Sequence, residues 1–227
     1  RISHVANFDR GVFKGFTLFD KEKMSLSAPK AKYWLEDLKY LSKYDDEHSS
    51  VGLATLKKTD GLYLKPQKMD QIFDFSYLGR SKESIAIRSA LISATQILIQ
   101  RAALELDIAP EEFEQIEPKL IESIPVLQIC DQLANGAGFS QKLSEIIEGT
   151  GSPLILKLIK SILSDYHDPL GMKLSTEVHK ASCLGACYKC IQRYGNRTYH
   201  GLLDWRLGLG FLRLLYDPKY KCGLDGN

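Results

Sequence analysis

Three cysteines fall within eight positions near the C-terminal end of the chain, Cys183-x3-Cys187-x2-Cys190, in the stretch SCLGACYKCIQRYGNRTYHGLLDW. This cluster constrains the fold more than any other feature, because thiols so close in sequence must share one corner of the structure. A C-x2-C pair sets two thiolates on one tight turn, and zinc favours four sulfur or imidazole ligands in a tetrahedron. Cys187 and Cys190 are therefore expected to chelate together, with Cys183 joining from the preceding turn. The fourth ligand is open: His200 is the first choice and His179 the alternative, with Cys130 and Cys222 also candidates. Two other readings compete. The thiols could pack as small reduced hydrophobes. Cys187 and Cys190 could also form a redox pair, although no thioredoxin-like strand–helix context surrounds them.

The chain has five cysteines, an odd and clustered set that argues against a secreted disulfide framework and for a reducing, cytoplasmic compartment. The N-terminal RISHVANFDRG lacks the continuous apolar run of a signal peptide, and no window reaches the length of a membrane span. The chain begins at Arg1 and not at a methionine, which suggests the C-terminal part of a larger protein. Net charge is only +2, so the distribution matters more than the total. Gly171 to Tyr216 holds seven Lys/Arg against Glu177 and Asp204. Within it Lys189, Arg193 and Arg197 alternate with Tyr188, Tyr194 and Tyr199. Cations neutralise phosphates and tyrosines stack on bases, so Lys180, Lys189, Arg193 and Arg197 are candidate nucleic-acid contacts. The alternative is a solvated face with rings turned inward.

The order of elements reads as α+β, with antiparallel strands early and a mainly helical part later. Residues 1–80 are β-rich, with a hairpin in VANFDRGVFKGFTLFD and strands in TDGLYLK and QIFDFSYL. Whether they form a separate domain from 81–227 is open. From Ser81, SKESIAIRSALISATQILIQRAALELDI places Ile85, Ala90, Leu91, Ala94, Ile97, Leu98, Ala102 and Leu104 at helical spacing, which predicts a long, largely buried helix. A short element starts near Pro110, and SIPVLQIC reads as a buried strand. SPLILKLIKSILSDY is an amphipathic helix, His167 to Ser182 is loop-like, and an apolar helix is expected from about Thr198 to Tyr216.

Two smaller constellations have bland readings that compete with chemical ones. DQLANGAGF could aim backbone N–H groups at an anion. It is not a P-loop, and Gly136 and Gly138 more simply permit a tight strand-to-helix turn. His200 and Asp204 are four apart, which suits a histidine oriented by a carboxylate on one helix face. A structural role is favoured over acid–base catalysis, because no second catalytic group is recognisable.

Taken in order, the helix ALISATQILIQRAALELDIAPEEFE, the strand ending D-x3-NGAGF and the run CxxxCYKCIQRYGNRTYHGLLDWRLGLGFL resemble the MrfA-type zinc-binding (MZB) domain. That family is found at the C-terminal end of superfamily 2 helicases and in DrmB-like phage-defence proteins. The resemblance runs from about Thr59 to Leu215 and is most specific at Cys187, Tyr188, Cys190, Tyr194, Asn196, His200, Leu203 and Asp204. Asp131, Gly136, Ala137 and Gly138 match its strand and turn. It implies zinc on Cys183, Cys187 and Cys190, local architectural roles for Asn196, His200 and Asp204, and a helicase module in cis or trans. The chain departs from the family where many relatives carry a further cysteine, here Ala181, and where some carry an early C-x2-C, here Phe19 and Glu22.

The expectation is a noncatalytic accessory domain that supports DNA binding or packs on a helicase motor. ATP hydrolysis would then reside elsewhere, since no Walker A sequence is present. A protein-interaction module is the second reading, and a metal-dependent hydrolase with an open zinc position the third.

Overall fold

The computed structural model describes residues 16–17, 25–26, 58–67, 82–164 and 167–221. The chain divides into two units, Ser3–Lys57 and Lys58–Asn227, the latter together with Arg1–Ile2. In the first, strands β1 (Phe16–Thr17) and β2 (Ser25–Leu26) pair antiparallel, Phe16 opposite Leu26. The expected strand QIFDFSYL, Ser81 and Cys222 lie outside the described residues. No helix among the described residues is long and apolar enough to cross a membrane.

The second unit is built on one helix. α1 (Lys82–Leu106) is buried on nearly every side from Leu91 to Ala103, so its neighbours wrap it. Leu91, Ile92, Ile97, Leu98 and Ile99 are essentially inaccessible. Each contributes about 1.5–3 kcal/mol by leaving water. The polar residues on α1 are placed with equal care. Ser89, Ser93 and Gln96 recur at i, i+4 and i+7, so they form one stripe along the helix. Every one of them bonds to the C-terminal segment: Ser89 Oγ donates to the Leu202 carbonyl, Ser93 Oγ accepts from Asp204 N–H at 2.8 Å, and Gln96 Oε1 accepts from Asn196 at 2.7 Å.

The sheet is antiparallel, and β6 (Ile124–Asp131) is its centre. β3 (Gly61–Leu64) pairs along one edge, and β4 (Phe113–Gln115) along the other. β5 (Lys119–Ile121) forms a tight hairpin with the first residues of β6. Its two turn residues, Glu122 and Ser123, both adopt positive φ, 53° and 64°, as the twist of a two-residue hairpin requires. Beyond Ile124, β6 is buried throughout, as expected for SIPVLQIC. The α+β class holds. The strands do not all precede the helices, however: β4 to β6 follow α1, and β3 joins them from before it.

α2 (Phe139–Ser144) and α3 (Leu154–Ser164) follow, the second as expected for SPLILKLIKSILSDY. The stretch expected as a loop, 167–182, is instead two short helices, α4 (Pro169–Ser175) and α5 (Glu177–Ser182). Side-chain caps make them. The Asp168 carboxylate accepts from the N–H groups of Leu170 and Gly171, with Pro169 pre-set at the first helical position. Thr176 ends α4 and caps α5. The single helix expected from Thr198 is also corrected. A 3-10 segment spans Tyr194–Leu202, the chain extends at Leu203 and Asp204, and α6 (Trp205–Tyr216) starts afresh. Asp204 caps it, accepting from Arg206 and Leu207 N–H at 2.9 and 3.2 Å. α6 packs along α1 so closely that a Cβ on Gly208 would lie 2.9 Å from the Ser93 backbone and the Ile97 side chain.

Candidate metal centre

α5 supplies the first half of the cysteine corner. Thr176 Oγ1 accepts from His179 N–H at 3.3 Å and starts the helix. His179 and Cys183, four residues apart, then share one helix face, and Cys183 N–H closes the last turn on the His179 carbonyl at 2.8 Å. The second half is the tight turn Cys187–Cys190, closed by Cys190 N–H on the Cys187 carbonyl at 2.9 Å. Within it Cys187 N–H donates to Cys190 Sγ at 3.1 Å.

The four side chains converge. Cys187 Sγ is 3.6 Å from Cys190 Sγ and 3.8 Å from His179 Nε2, and Cys183 Sγ is 3.9 Å from Cys190 Sγ. All four ligand atoms lie within 4.8 Å of one another. A tetrahedron of sulfurs at metal–sulfur bonds of ~2.3 Å has edges of about 3.8 Å. The spacing therefore suits a single ion at the centre, and these four residues can hold a metal. All the described cysteines are free thiols.

Burial pushes the Cys183 thiol up to about 12, and its neighbours Cys187 and Cys190 add to the effect. Burial also raises Cys190, against the pull of the Cys187 and Ile191 N–H groups. Cys187 differs. Burial opposes its ionisation, but bonds from the Cys190 side chain and the Lys189 N–H hold it below the usual thiol range. A metal entering this group must displace protons, as thiolate ligands require.

The corner is bolted to α6. Trp205 packs against the His179 ring, centroids 5.3 Å apart, and its Nε1–H donates to the Cys183 carbonyl at 3.3 Å. The Arg206 guanidinium lies 4.2 Å from the Trp205 ring centroid and donates to the carbonyls of Lys180, Cys183 and Leu184 at 2.8–2.9 Å. It thereby satisfies carbonyls at and just beyond the C-terminal end of α5, where a cation is favoured. His179 Nδ1 is buried and makes no hydrogen bond among the described residues. The Trp205 contact, and not an acceptor behind the ring, orients this histidine.

His200 is not the fourth member. Its Nε2–H donates to the Arg193 carbonyl at 3.0 Å and to Asn196 Oδ1 at 3.1 Å, which occupies the nitrogen a metal would need. His179 takes the place instead. His200 also does not pair with Asp204. The i,i+4 relation fails because the chain leaves its helical path at Leu203, and Asp204 turns to cap α6. Cys130 sits at the end of β6, 3.6 Å from the Glu114 carbonyl, and takes no part in the cluster.

Asn196 is architectural in the strict sense. Buried, it accepts from Arg193 N–H and donates to the Ile191 carbonyl and Gln96. The strand-to-helix turn is equally self-contained. Asn135, Gly136 and Gly138 have φ of 72°, 82° and 81°, and a Cβ on Gly136 would collide with Asp60. The buried Asp131 carboxylate accepts from the N–H groups of Ala137, Phe139 and Ser140 and from Ser140 Oγ. The turn does aim donors at an anion, but that anion is the protein's own aspartate.

The candidate basic residues separate into two kinds. Arg193 is mostly buried, bonding Glu111 at 2.8 Å and Gln96 at 2.9 Å, so it serves the fold. Lys180 is exposed but paired with Glu177 at 2.8 Å. Lys189 and Arg197 are exposed, and neither has a carboxylate partner among the described residues. Tyr194 is exposed beside Arg197.

Searched against protein-family models, curated proteins and solved structures, the chain matches none.

Proposed function

We propose that this chain is a zinc-stabilised accessory domain, noncatalytic by itself, that works with a helicase motor on nucleic acid. The observation that carries the reading is the four-ligand cluster of His179, Cys183, Cys187 and Cys190 at tetrahedral spacing. Three sulfurs and one imidazole suit zinc among the common metals. A set of four protein ligands is closed, which supports a structural ion and leaves no position for an activated water. Zinc there would tie the end of α5 to the Cys187–Cys190 turn. Structural zinc sites bind with about 10–16 kcal/mol, as much as a whole domain's net stability, so the ion would decide whether this corner folds.

The resemblance to the MZB domain supports the link to helicases and to phage defence. The absence of any acid between Glu177 and Asp204 supports contact with a polyanion such as DNA. Free thiols support a reducing, cytoplasmic setting. A second reading, a protein-docking module, is favoured by Val178 and Leu184, apolar side chains 81% and 87% exposed beside the cluster.

Elemental analysis of the purified chain tests the core of the proposal. One zinc per chain is expected, lost in Cys187→Ser. A folded chain free of metal after purification without chelators would overturn it. Binding to DNA tests the rest: Lys189→Glu with Arg197→Glu should remove salt-dependent affinity. Arg193 is left intact because its loss would damage the fold.

A further inference from the structure

We infer that the exposed rings of Tyr188 and Tyr194 stack on the bases of single-stranded nucleic acid. The inference rests on the nucleic-acid reading above and specifies the form of the strand. Tyr194 is 76% exposed and Tyr188 69%. Both rings are held out by neighbours. The Arg197 guanidinium lies 4.9 Å from the Tyr194 ring centroid and donates from Nη1 to the Tyr194 hydroxyl at 3.1 Å. Tyr188 meets the His200 ring edge-on, centroids 5.5 Å apart and planes at 84°.

His200 also places the two rings on one corner. Its Nε2–H is bonded to the Arg193 carbonyl, and that carbonyl belongs to the peptide leading into Tyr194. The polar network of Asn196, Gln96 and Arg193 fixes this corner to α1. The backbone that carries Tyr194 is therefore fixed before any ligand arrives, which lowers the ordering cost of binding.

Electrostatics and ring exposure together select the strand form. With Arg193 committed to Glu111 and Lys180 to Glu177, Lys189 and Arg197 remain to meet phosphates. Two phosphate contacts alone hold a duplex weakly, and the bases of a duplex are already stacked on each other. A single strand offers the same phosphates and also open base faces. A base can stack on either ring without reading of its edges, so little sequence preference follows.

The test uses the zinc-loaded full chain and a fluorescent oligothymidylate, with a labelled duplex in parallel, followed by anisotropy over a range of salt. Tighter binding to the single strand is expected, with a log–log salt slope of about −1.4 for two phosphates. Tyr188→Ala and Tyr194→Ala should each weaken it on the order of 10-fold, while Tyr188→Phe and Tyr194→Phe retain it. Metal content and melting temperature, unchanged in these surface variants, separate lost contact from lost fold. If the alanine variants bind as tightly as the parent while Lys189→Glu with Arg197→Glu does not, stacking is overturned and the nucleic-acid reading survives. If the parent binds neither probe, the nucleic-acid reading itself falls, and this inference with it.

Discussion

His179 and His200 are both within reach of the cysteines along the chain, yet only His179 presents a nitrogen to them. The difference lies in what each ring already bonds. His200 Nε2 is committed to the Arg193 carbonyl and Asn196, whereas His179 Nε2 faces Cys187 Sγ at 3.8 Å. His200→Ala should therefore keep one zinc per chain and cost about 1–3 kcal/mol through two lost hydrogen bonds. His179→Ala should lose zinc to a mild chelator. Metal analysis and denaturant titration on the two variants read this directly, and retained zinc in His179→Ala would refute the assignment. A loop over 167–182 would give His179 and Cys183 no shared face. Once Thr176 caps a helix there, four-residue spacing brings them together.

The short helices show how much a single capping carboxylate can organise. Asp168 is fully buried, caps α4, and accepts from Arg101 at 2.7 Å and Ser161 at 2.8 Å, so it joins α1, α3 and α4. Burial opposes its charge, but the Gly171 N–H, Arg101 and Ser161 outweigh it and hold the carboxyl below its ordinary value of 3.8. A carboxyl depressed in the folded state adds stability above its unfolded pKa, and that stability is lost as pH falls through the folded pKa. The parent should thus lose stability on acidification below about pH 4. Asp168→Asn should be about 3–5 kcal/mol less stable at neutral pH, with a flatter acid limb. Urea titrations across that range measure both, and parallel curves would contradict the account. At this scale α1, β6 and α3 were legible because each carries a long apolar pattern. β4 and β5 were not, being three residues each and defined only by their partner.

For the second unit as a whole, α1 acts as a spine that the sheet and the metal corner both grip. Its stripe Ser89, Ser93 and Gln96 receives the C-terminal segment through Leu202, Asp204 and Asn196. Cys183 and Cys190 belong to the apolar interior that α1, β6 and α3 also form, but most of its members are aliphatic and aromatic side chains that carry no ligand atom. Chelation should therefore act locally first. Amides from Glu177 to Leu203 should lose hydrogen-exchange protection, while those of α1 and β6 keep theirs. Uniform loss of protection would mean the ion holds the entire unit together.

The amino-acid sequence by itself determined the α+β class, the long buried helix, the buried strand and the three cysteines of the corner. These rest on local periodicity and spacing, which any fold must respect. Tertiary structure decided the rest. It selected His179, set Arg193 and Asp131 to internal duties, and left Tyr188, Tyr194, Lys189 and Arg197 facing out. Several of those outcomes depend on a partner far away in the chain, such as Gln96 for Asn196 and Glu111 for Arg193. Spacing along a sequence carries no record of which distant group will satisfy a buried donor, so only the packed molecule could assign them.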